Sequence, residues 1–437
     1  MDKSQIISIL NDWNYWDRDL PNTKVREQYE SKISSYLKYD EIVVIKGIRR
    51  SGKSTLMVNQ IKKLIKSGIS LSDVLFVNLE DPRFVGYLNL EMLDKIKEIY
   101  LEYLSPNIKP YIFLDEVQNI PNWEKWVNKE YELKLSKIVI SGSNSSMLSS
   151  EIASTLSGRY LEVDVYPLSF KEFLNFKDIK IEKKLDLISK RIEINRAFEE
   201  YIKYGAFPKV LGYDVQDKRE LLNSYKNTIL LKDIVARYKL KEFGTLEEMA
   251  IFLLANSGIT ISINRLKNIF KISYDMAKSY VEYLCRAYMI FEVNKFDYSL
   301  KKQSVNDKKY YSIDTGLSNM LRVPNLQTRG SDIESIVFIE LLRRGYKVYY
   351  YKTANNLEID FLVQEGQNIV MLIQVTKSLK DEKTKKRELQ PFAIAKKELN
   401  LKDVETIVIY EENCEDITCN GMDIKVIKLI DWLLDAL

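Results

Sequence analysis

The chain of 437 residues contains no histidine and only three cysteines. Without histidine there can be no Ser-His-Asp triad, no histidine general base and no histidine ligand for a metal or haem. Cys285, Cys414 and Cys419 are spaced neither as a zinc-binding set nor as a disulfide framework, which predicts an intracellular protein. The longest clear apolar run, at 249–255, is far shorter than the roughly 20 residues of a membrane span. The first residues lack an apolar signal core, so we expect a cytoplasmic protein that does not bind membranes.

The net charge is also small, and residues that interrupt helices and strands are few. The 66 basic and 62 acidic residues leave a net charge of +4, which is too small to imply nucleic-acid binding by itself. Only 15 glycines and 9 prolines interrupt the chain, and no Gly/Ser linker or internal repeat stands out. The length predicts about three domains, whose boundaries must come from motifs and from changes of hydrophobic period.

Residues 41–165 alternate short apolar runs with helical patterns, which predicts a parallel sheet with helices. The predicted strands are Ile42–Lys46, Val74–Leu79, Tyr111–Asp115, Lys137–Ser141 and Tyr160–Val165. A helix is predicted over Ser54–Ser67, with Gly68 as its C-terminal cap.

A phosphate-binding loop is the strongest signal in the chain. The segment from Gly47 to Ser54 fits G-x-x-x-x-G-K-[ST] and lies between a predicted strand and a predicted helix, as this motif requires. Lys53 can reach the β- and γ-phosphates, and the Ser54 hydroxyl can ligate Mg²⁺. The predicted nucleotide-binding residues are Gly47, Ile48, Arg49, Arg50, Ser51, Gly52, Lys53, Ser54 and Thr55.

Two carboxylates follow the third predicted strand. Asp115 is expected at its C-terminal end, where ligands bind in open α/β sheets, and would hold Mg²⁺ together with Ser54. Glu116 would act on the attacking water as general base. The alternative is a salt-bridged surface pair.

Three further residues are weaker candidates. Ser143 and Asn144 follow the next strand and could hydrogen-bond the γ-phosphate or the attacking water, although a plain turn is the alternative. Arg159 could sense the γ-phosphate in the same chain or in a neighbour, with a structural ion pair as the alternative.

With these motifs the sequence resembles the archaeal and bacterial AAA+ class ATPases that carry a C-terminal DUF4143 domain. The matching stretches are GIRRSGKSTL, FVNLEDPRF, IFLDEVQNIPNWEKWV, ISGSNSSML, LSGRYLEVDVYPLSFKEF, YGAFPKV, YYSIDTGL and IESIVFIELLRRGYKVYYYKTANNLEIDFLV. The resemblance implies ATP as the nucleotide, an AAA+-like core, a winged helix and a terminal domain similar to PD-(D/E)xK nucleases. It does not imply one cellular role.

The predicted fold class is therefore α/β, with a P-loop AAA+-like parallel-sheet core, a helical lid, a winged helix-turn-helix and a nuclease-like α/β domain. The predicted division is an N-terminal helical segment at 1–40, the ATPase core at 41–175, the lid at 176–258, the winged helix at 259–325 and the terminal domain at 326–437.

The terminal domain departs from the nuclease pattern that the resemblance implies. Glu334 and Asp360 match acidic positions, but Gln374 and Thr376 stand where the pattern has an acid and a lysine. Lys377 follows one place late and should point to the opposite face of its strand. Glu358 lies on the same face as Asp360 and could ligate a metal. We therefore expect an inactive domain with an interaction or regulatory role.

A basic excess is localised at 259–310, which contains ten Lys/Arg and five Asp/Glu, a net charge of +5. Helices are predicted at Ile263–Phe270 and Tyr274–Tyr288 and strands at Met289–Val293 and Tyr310–Ile313, an order typical of winged helices. Lys278, Lys301 and Lys302 are the natural DNA contacts, whereas a protein-binding module or a lid is the alternative.

The leading hypothesis is an Mg²⁺-dependent ATPase whose cycle moves a C-terminal module that binds DNA or a protein partner, including another copy of this chain. The alternatives are a non-hydrolysing ATP-dependent switch and an ATP-regulated DNA nuclease. The departure at Gln374 and Thr376 weighs against the nuclease.

Overall fold

The computed structural model describes residues 1–144, 155–323, 328–412 and 424–435. The chain forms two compact units, Met1–Val165 and Tyr166–Leu437. The five-part division expected from the sequence is finer than these two units and stays a prediction.

The first unit is built on a five-stranded sheet in the order β2-β3-β4-β1-β5, with every pair of neighbours parallel. The strands are β1 (Ile42–Lys46), β2 (Val74–Asn78), β3 (Tyr111–Asp115), β4 (Lys137–Gly142) and β5 (Tyr160–Asp164). The five predicted strands are thus confirmed to within one residue at each end. They are readable from the sequence because strands covered on both faces are continuous apolar runs.

Helices cover this sheet. They are α1 (Lys3–Trp13), α2 (Glu27–Tyr36), α3 (Lys53–Lys66), α4 (Leu90–Leu104) and α5 (Trp123–Glu132). The predicted helix at Ser54–Ser67 is α3, and Gly68 follows it at φ +99°, as expected of a helix terminator. Buried Ile6, Ile9 and Leu10 of α1 belong to the same core as strands β2 and β3.

The second unit begins with helices. They are α6 (Phe170–Phe176), α7 (Lys184–Ser189), α8 (Arg191–Tyr204), α9 (Val215–Thr228), a π-helical stretch (Ile229–Val235) continued by α10 (Ala236–Tyr238), and α11 (Gly244–Ala255).

A helix-turn-helix with a small antiparallel sheet follows. The elements are β6 (Ile259–Ile261), α12 (Ile263–Phe270), α13 (Tyr274–Arg286), β7 (Ile290–Asn294), α14 (Leu300–Val305) and β8 (Lys308–Ser312). Strand β8 pairs with both β6 and β7. The two predicted helices and two predicted strands are present. Strand β6, of three residues, and helix α14, of six residues, are additional elements that were not predicted.

The terminal sheet has the order β13-β12-β11-β10-β9, in which β10 runs antiparallel to both of its neighbours. The elements are α15 (Thr315–Leu321), α16 (Arg329–Arg343), β9 (Lys347–Lys352), β10 (Glu358–Glu365), β11 (Asn368–Thr376), α17 (Glu382–Glu398), β12 (Glu405–Tyr410), β13 (Lys425–Lys428) and α18 (Leu429–Leu433). Every helix within the described ranges is too short or too polar to cross a membrane.

Candidate functional site

The phosphate-binding loop connects β1 to α3, as the motif predicts. Gly47 leaves no room for a side chain, because a Cβ there would lie 2.1 Å from the carbonyl oxygen of Val165. Gly52 takes the left-handed conformation at φ +97° and is the N-cap of α3, so Lys53 opens the helix. The loop therefore ends at a helix N-terminus whose amides and partial positive charge favour a bound phosphate.

The Lys53 ammonium is folded back into its own loop. Its Nζ donates to the carbonyl oxygens of Gly47 at 3.0 Å and of Ile48 at 3.1 Å, and lies 3.6 Å from Oε1 of Glu116. The residue is only 4% exposed. A buried cation thus stands beside the loop, held by two neutral acceptors and one carboxylate that a phosphate can replace.

Asp115 lies at the end of β3 and is hydrogen-bonded by two hydroxyl groups, those of Ser54 and Ser141. Burial and the neighbouring Glu116 charge raise the pKa of Asp115, against the lowering effect of the two hydroxyls and of Lys53. The serine of the loop and the acid of β3 are therefore neighbours, which is the arrangement expected of a shared Mg²⁺ site.

Glu116 follows in the left-handed conformation, at φ +54°. Its carboxylate accepts a hydrogen bond from Nε2 of Gln118, which also lies 3.3 Å from Oγ of Ser143. Burial would raise the pKa of Glu116, but the charges of Lys53 and Arg49 outweigh it and hold the pKa below its ordinary value. Glu116 is consequently an ionised, positioned carboxylate beside the loop, as a general base must be.

The residues around this pair include several that sequence reasoning missed. Arg26 donates from Nη1 to the carbonyl oxygen of Ser51 at 2.9 Å, and Arg49 forms a bidentate pair with Glu80, with both oxygens 2.8 Å from Nη1. Gln118 and Ser141 were missed as well. Two of them carried a usable signal in the sequence: Glu80 directly follows a predicted strand, as Glu116 does, and Ser141 ends one, as Asp115 does.

The weaker candidates differ in their positions. Ser143 and Asn144 follow β4 and are fully buried. Oγ of Ser143 lies 3.3 Å from Nε2 of Gln118, the same group that donates to Glu116. Arg159 instead pairs with Glu132 at 2.5 Å and donates to Oδ1 of Asn128 at 2.6 Å. The structural ion pair that was the alternative for Arg159 is thus present. The role of Arg159 in sensing the γ-phosphate stays a prediction.

The residues fit a nucleotide with its metal. The fully buried hydroxyl of Ser51, inside the loop, has no hydrogen-bond partner in the part of the chain that the structure describes. Arg50 and Thr55 lie on the exposed side of the loop and of the first turn of α3. Lys53, Ser54 and Asp115 supply one cation, one hydroxyl and one carboxylate to the same edge.

The acids of the terminal domain also converge, around a cleft of about 840 Å³ lined by Glu334, Asp360 and Gln374 among others. Gln374 and Thr376 are buried on one face of β11, as expected. Lys377 follows the last residue of β11 and pairs with Glu412 at 3.1 Å, and its side chain is 57% exposed. It also lines this cleft, so the expectation that it points away stays a prediction. Glu358 pairs with Lys309 and Lys352. Across the described ranges, no group of three acids or cysteines is arranged to hold a metal ion.

The basic residues of 259–310 are not all available to a ligand. Lys309, which was counted in the basic excess, is buried against Glu334. Lys278, Lys301 and Lys302 are exposed, and Lys302 lies 3.7 Å from Asp297. A groove of about 750 Å³ lies between α13 and the β7–β8 region and is lined in part by Lys278 and Lys308.

Comparison with known proteins agrees with the loop geometry. Residues 39–174 match a family described as an AAA domain, residues 195–328 a domain of unknown function (DUF8612), and residues 329–428 a domain of unknown function (DUF4143). The chain is 34% identical over 411 residues to the uncharacterized protein MJ1544 of Methanocaldococcus jannaschii, covering 90% of this chain and 88% of that protein. The chain belongs to this family of AAA-class ATPases with a DUF4143 domain. An uncharacterized protein of Haemophilus influenzae is 31% identical over 94% of this chain and 98% of its own length.

Solved structures are more distant from this family member. The Walker-type ATPase PABY2304 of Pyrococcus abyssi has 16% identity and a TM-score of 0.43, over 68% of this chain and 96% of that one. The ORC1 protein of Aeropyrum pernix, solved in complex with DNA, has 11% identity and a TM-score of 0.30, over 69% and 93%. Neither value is high enough to transfer a function.

Proposed function

We propose that the protein is an Mg²⁺-dependent ATPase whose reaction takes place at the loop between β1 and α3. The observation that carries this proposal is the meeting of Lys53, Ser54, Asp115 and Glu116 at one edge of the parallel sheet. Two neighbouring carboxylates there have different surroundings, one hydrogen-bonded by hydroxyls and the other facing cations. Such a difference separates a metal-holding role from a proton-accepting role.

Each residue has one task in this proposal. Lys53 leaves its carbonyl partners for the phosphates, and the loop amides orient them. Ser54 and Asp115 would hold Mg²⁺, which when bound supplies positive charge to the triphosphate. Glu116 accepts a proton from the attacking water, with Gln118 keeping the carboxylate in place.

The test of the site is Lys53→Ala, measured by titration with a fluorescent ATP analogue. The variant should lose most of its ATP affinity, because the other cations near the loop already have partners: Arg49 is paired with Glu80, and Arg26 donates to the carbonyl oxygen of Ser51. Lys66→Ala, at the exposed end of the same helix, is the matched control and should bind like the unaltered protein. Equal affinity in Lys53→Ala would mean that the loop is not the nucleotide site.

We also propose that the helix-turn-helix region acts as a winged helix and binds DNA, with the ATP cycle controlling that contact. Exposed Lys278 lines the groove, and Lys301 and Lys302 are exposed on α14, so these lysines support a phosphate-binding surface. A protein partner, including a second copy of this chain, is the competing occupant of the same module. If the protein binds ATP but turns none over, with or without DNA, the non-hydrolysing switch replaces the ATPase. We keep the cytoplasm as the expected location.

A further inference from the structure

A buried lysine lies among the acids of the terminal cleft. Lys309 belongs to β8 of the helix-turn-helix region, yet its Nζ lies 2.9 Å from Oε1 of Glu334 on α16 and 2.6 Å from Oε1 of Glu358 on β10. The residue is 4% exposed. Its ammonium group also lies about 6 Å from the rings of Tyr311 and Tyr350, at 6.0 and 5.8 Å. All of these partners favour a positive charge.

The charged form of Lys309 is strongly favoured. Burial by itself would lower the pKa of this ammonium group, but Glu334, Tyr311, Asp360 and Glu358 raise it well above its ordinary value. A hydroxyl group adds to the arrangement, because Tyr311 donates to Oε1 of Glu334 at 2.5 Å. The Lys309 ammonium thus lies between two acids that line the cleft.

Several other oxygen atoms of the cleft also accept hydrogen bonds. Oδ2 of Asp360 accepts from the amide of Val375 at 2.8 Å, and Oε1 of Gln374 accepts from the amide of Asp360 at 2.7 Å. Gln374 turns its Nε2 to Oε2 of Glu388 at 2.9 Å, and Arg387 donates to the other oxygen of Glu388. The glutamine therefore presents a donor where a metal ligand must present an oxygen.

These contacts do not fit the divalent metal ion that the nuclease resemblance implies. We infer that the Lys309 ammonium takes the charge-balancing place of that ion, so that a residue of strand β8 holds the acids of the terminal cleft together without a metal. The lysine does so from outside the terminal sheet, and its two ion pairs join strand β8 to helix α16 and to strand β10. Removing its charge leaves Glu334 without this ion pair and Glu358 with Lys352 as its remaining partner, takes a favourable charge away from Asp360, and creates a cation site.

The test is Mn²⁺ binding to the full-length protein without nucleotide. Binding is measured as the loss of the electron paramagnetic resonance signal of free Mn²⁺. All proteins carry Asp115→Asn, which removes the expected metal ligand of the phosphate loop. The background protein and its Asp360→Ala derivative should give superimposable titrations. Lys309→Met should gain at least about tenfold in Mn²⁺ affinity, a gain that Asp360→Ala abolishes.

Lys309→Arg is the matched control, because it keeps the positive charge and should gain no Mn²⁺ binding. Mn²⁺ binding by the background protein that disappears in Asp360→Ala would overturn the inference. So would a folded Lys309→Met protein with unchanged Mn²⁺ affinity.

A measurement on the unaltered protein covers the case in which Lys309→Met does not fold. Amine acetylation followed by mass spectrometry should label exposed Lys301 and Lys302 but leave Lys309 protected, at the same low rate with and without Mn²⁺. Faster labelling of Lys309 when Mn²⁺ is added would mean that the metal displaces the lysine, and the inference would be wrong.

Discussion

The replacement Glu116→Gln tests the proposed chemistry most directly. Glutamine has the shape of glutamate and can still accept the hydrogen bond of Gln118, so the side chain should keep its position. It cannot accept the proton of the attacking water. The variant should therefore fold and bind ATP but lose the contribution of the base.

The expected loss in rate is about 10²-fold or more, the usual scale for a positioned general base, which corresponds to about 2.7 kcal/mol of activation free energy. ATP affinity, in contrast, should increase. Glu116 now pairs with Lys53 at 3.6 Å and adds a negative charge beside the triphosphate site. Removing that charge is worth about 1 kcal/mol after solvent screening, or roughly a fivefold tighter complex.

Phosphate release under steady-state conditions measures the rate, and titration with a fluorescent ATP analogue measures the affinity. Glu102→Gln, an equivalent change at an exposed residue paired with Lys3, should alter neither. Hydrolysis by Glu116→Gln at the rate of the unaltered protein would remove Glu116 from the mechanism. Weaker ATP binding would contradict the charge argument even if the rate fell.

Three other outcomes are expected. Replacing Lys278, Lys301 and Lys302 with glutamine should weaken DNA binding, measured by fluorescence anisotropy. The slope of the logarithm of affinity against the logarithm of salt concentration should fall by about 1 for each lost phosphate contact. Unchanged affinity and slope would favour a protein-binding module. The protein should not cut linear, branched or single-stranded DNA with Mg²⁺ or Mn²⁺, and Asp360→Ala should leave ATP hydrolysis within a few-fold; metal-dependent cutting lost in that variant would refute this. Burial raises the pKa of Asp314 from 3.8 to about 6, so the folded state holds the proton more tightly than the unfolded state does. Relative to Asp314→Asn, the free energy of unfolding measured in urea should be highest below about pH 4 and fall by about 3 kcal/mol as the pH rises through 6. The same pH dependence in both proteins would contradict this expectation.

The sheet and the loop of the first unit could be predicted because their signals are local. A buried parallel strand is a continuous apolar run, and the loop motif lies within eight residues. The contact of Arg26 with Ser51 has no such signal, because it joins residues 25 positions apart. Gln118 was missed for a different reason: its role depends on the left-handed turn at Glu116, which brings a side chain two residues later back to the carboxylate.

Side-chain periodicity also has a limited reach in the second unit. Alternation along a strand correctly placed Gln374 and Thr376 on one face of β11. Alternation could not show that the Lys309 side chain is buried against acids instead of adding to the basic surface, since its partners Glu334 and Glu358 come from other elements. A count of charge along a segment therefore overestimates the charge that a ligand meets. The π-helical stretch at Ile229–Val235 is likewise invisible to a search at 3.6 residues per turn.

Two of the stretches that carry the family resemblance, YGAFPKV and YYSIDTGL, meet at one structural joint. Asp314 accepts from the amide of Ala206 at 2.7 Å and caps α15 through the amide of Leu317 at 3.2 Å. A Cβ on Gly205, which has φ +73°, would lie 1.9 Å from Oδ1 of Asp314, and one on Gly316 would lie 2.3 Å from the carbonyl oxygen of Tyr204. Glycine at both positions lets the end of α8 approach the start of α15 closely enough for one carboxylate to serve both. Gly205, Asp314 and Gly316 are thus explained by packing, because each is the residue type that this close approach requires.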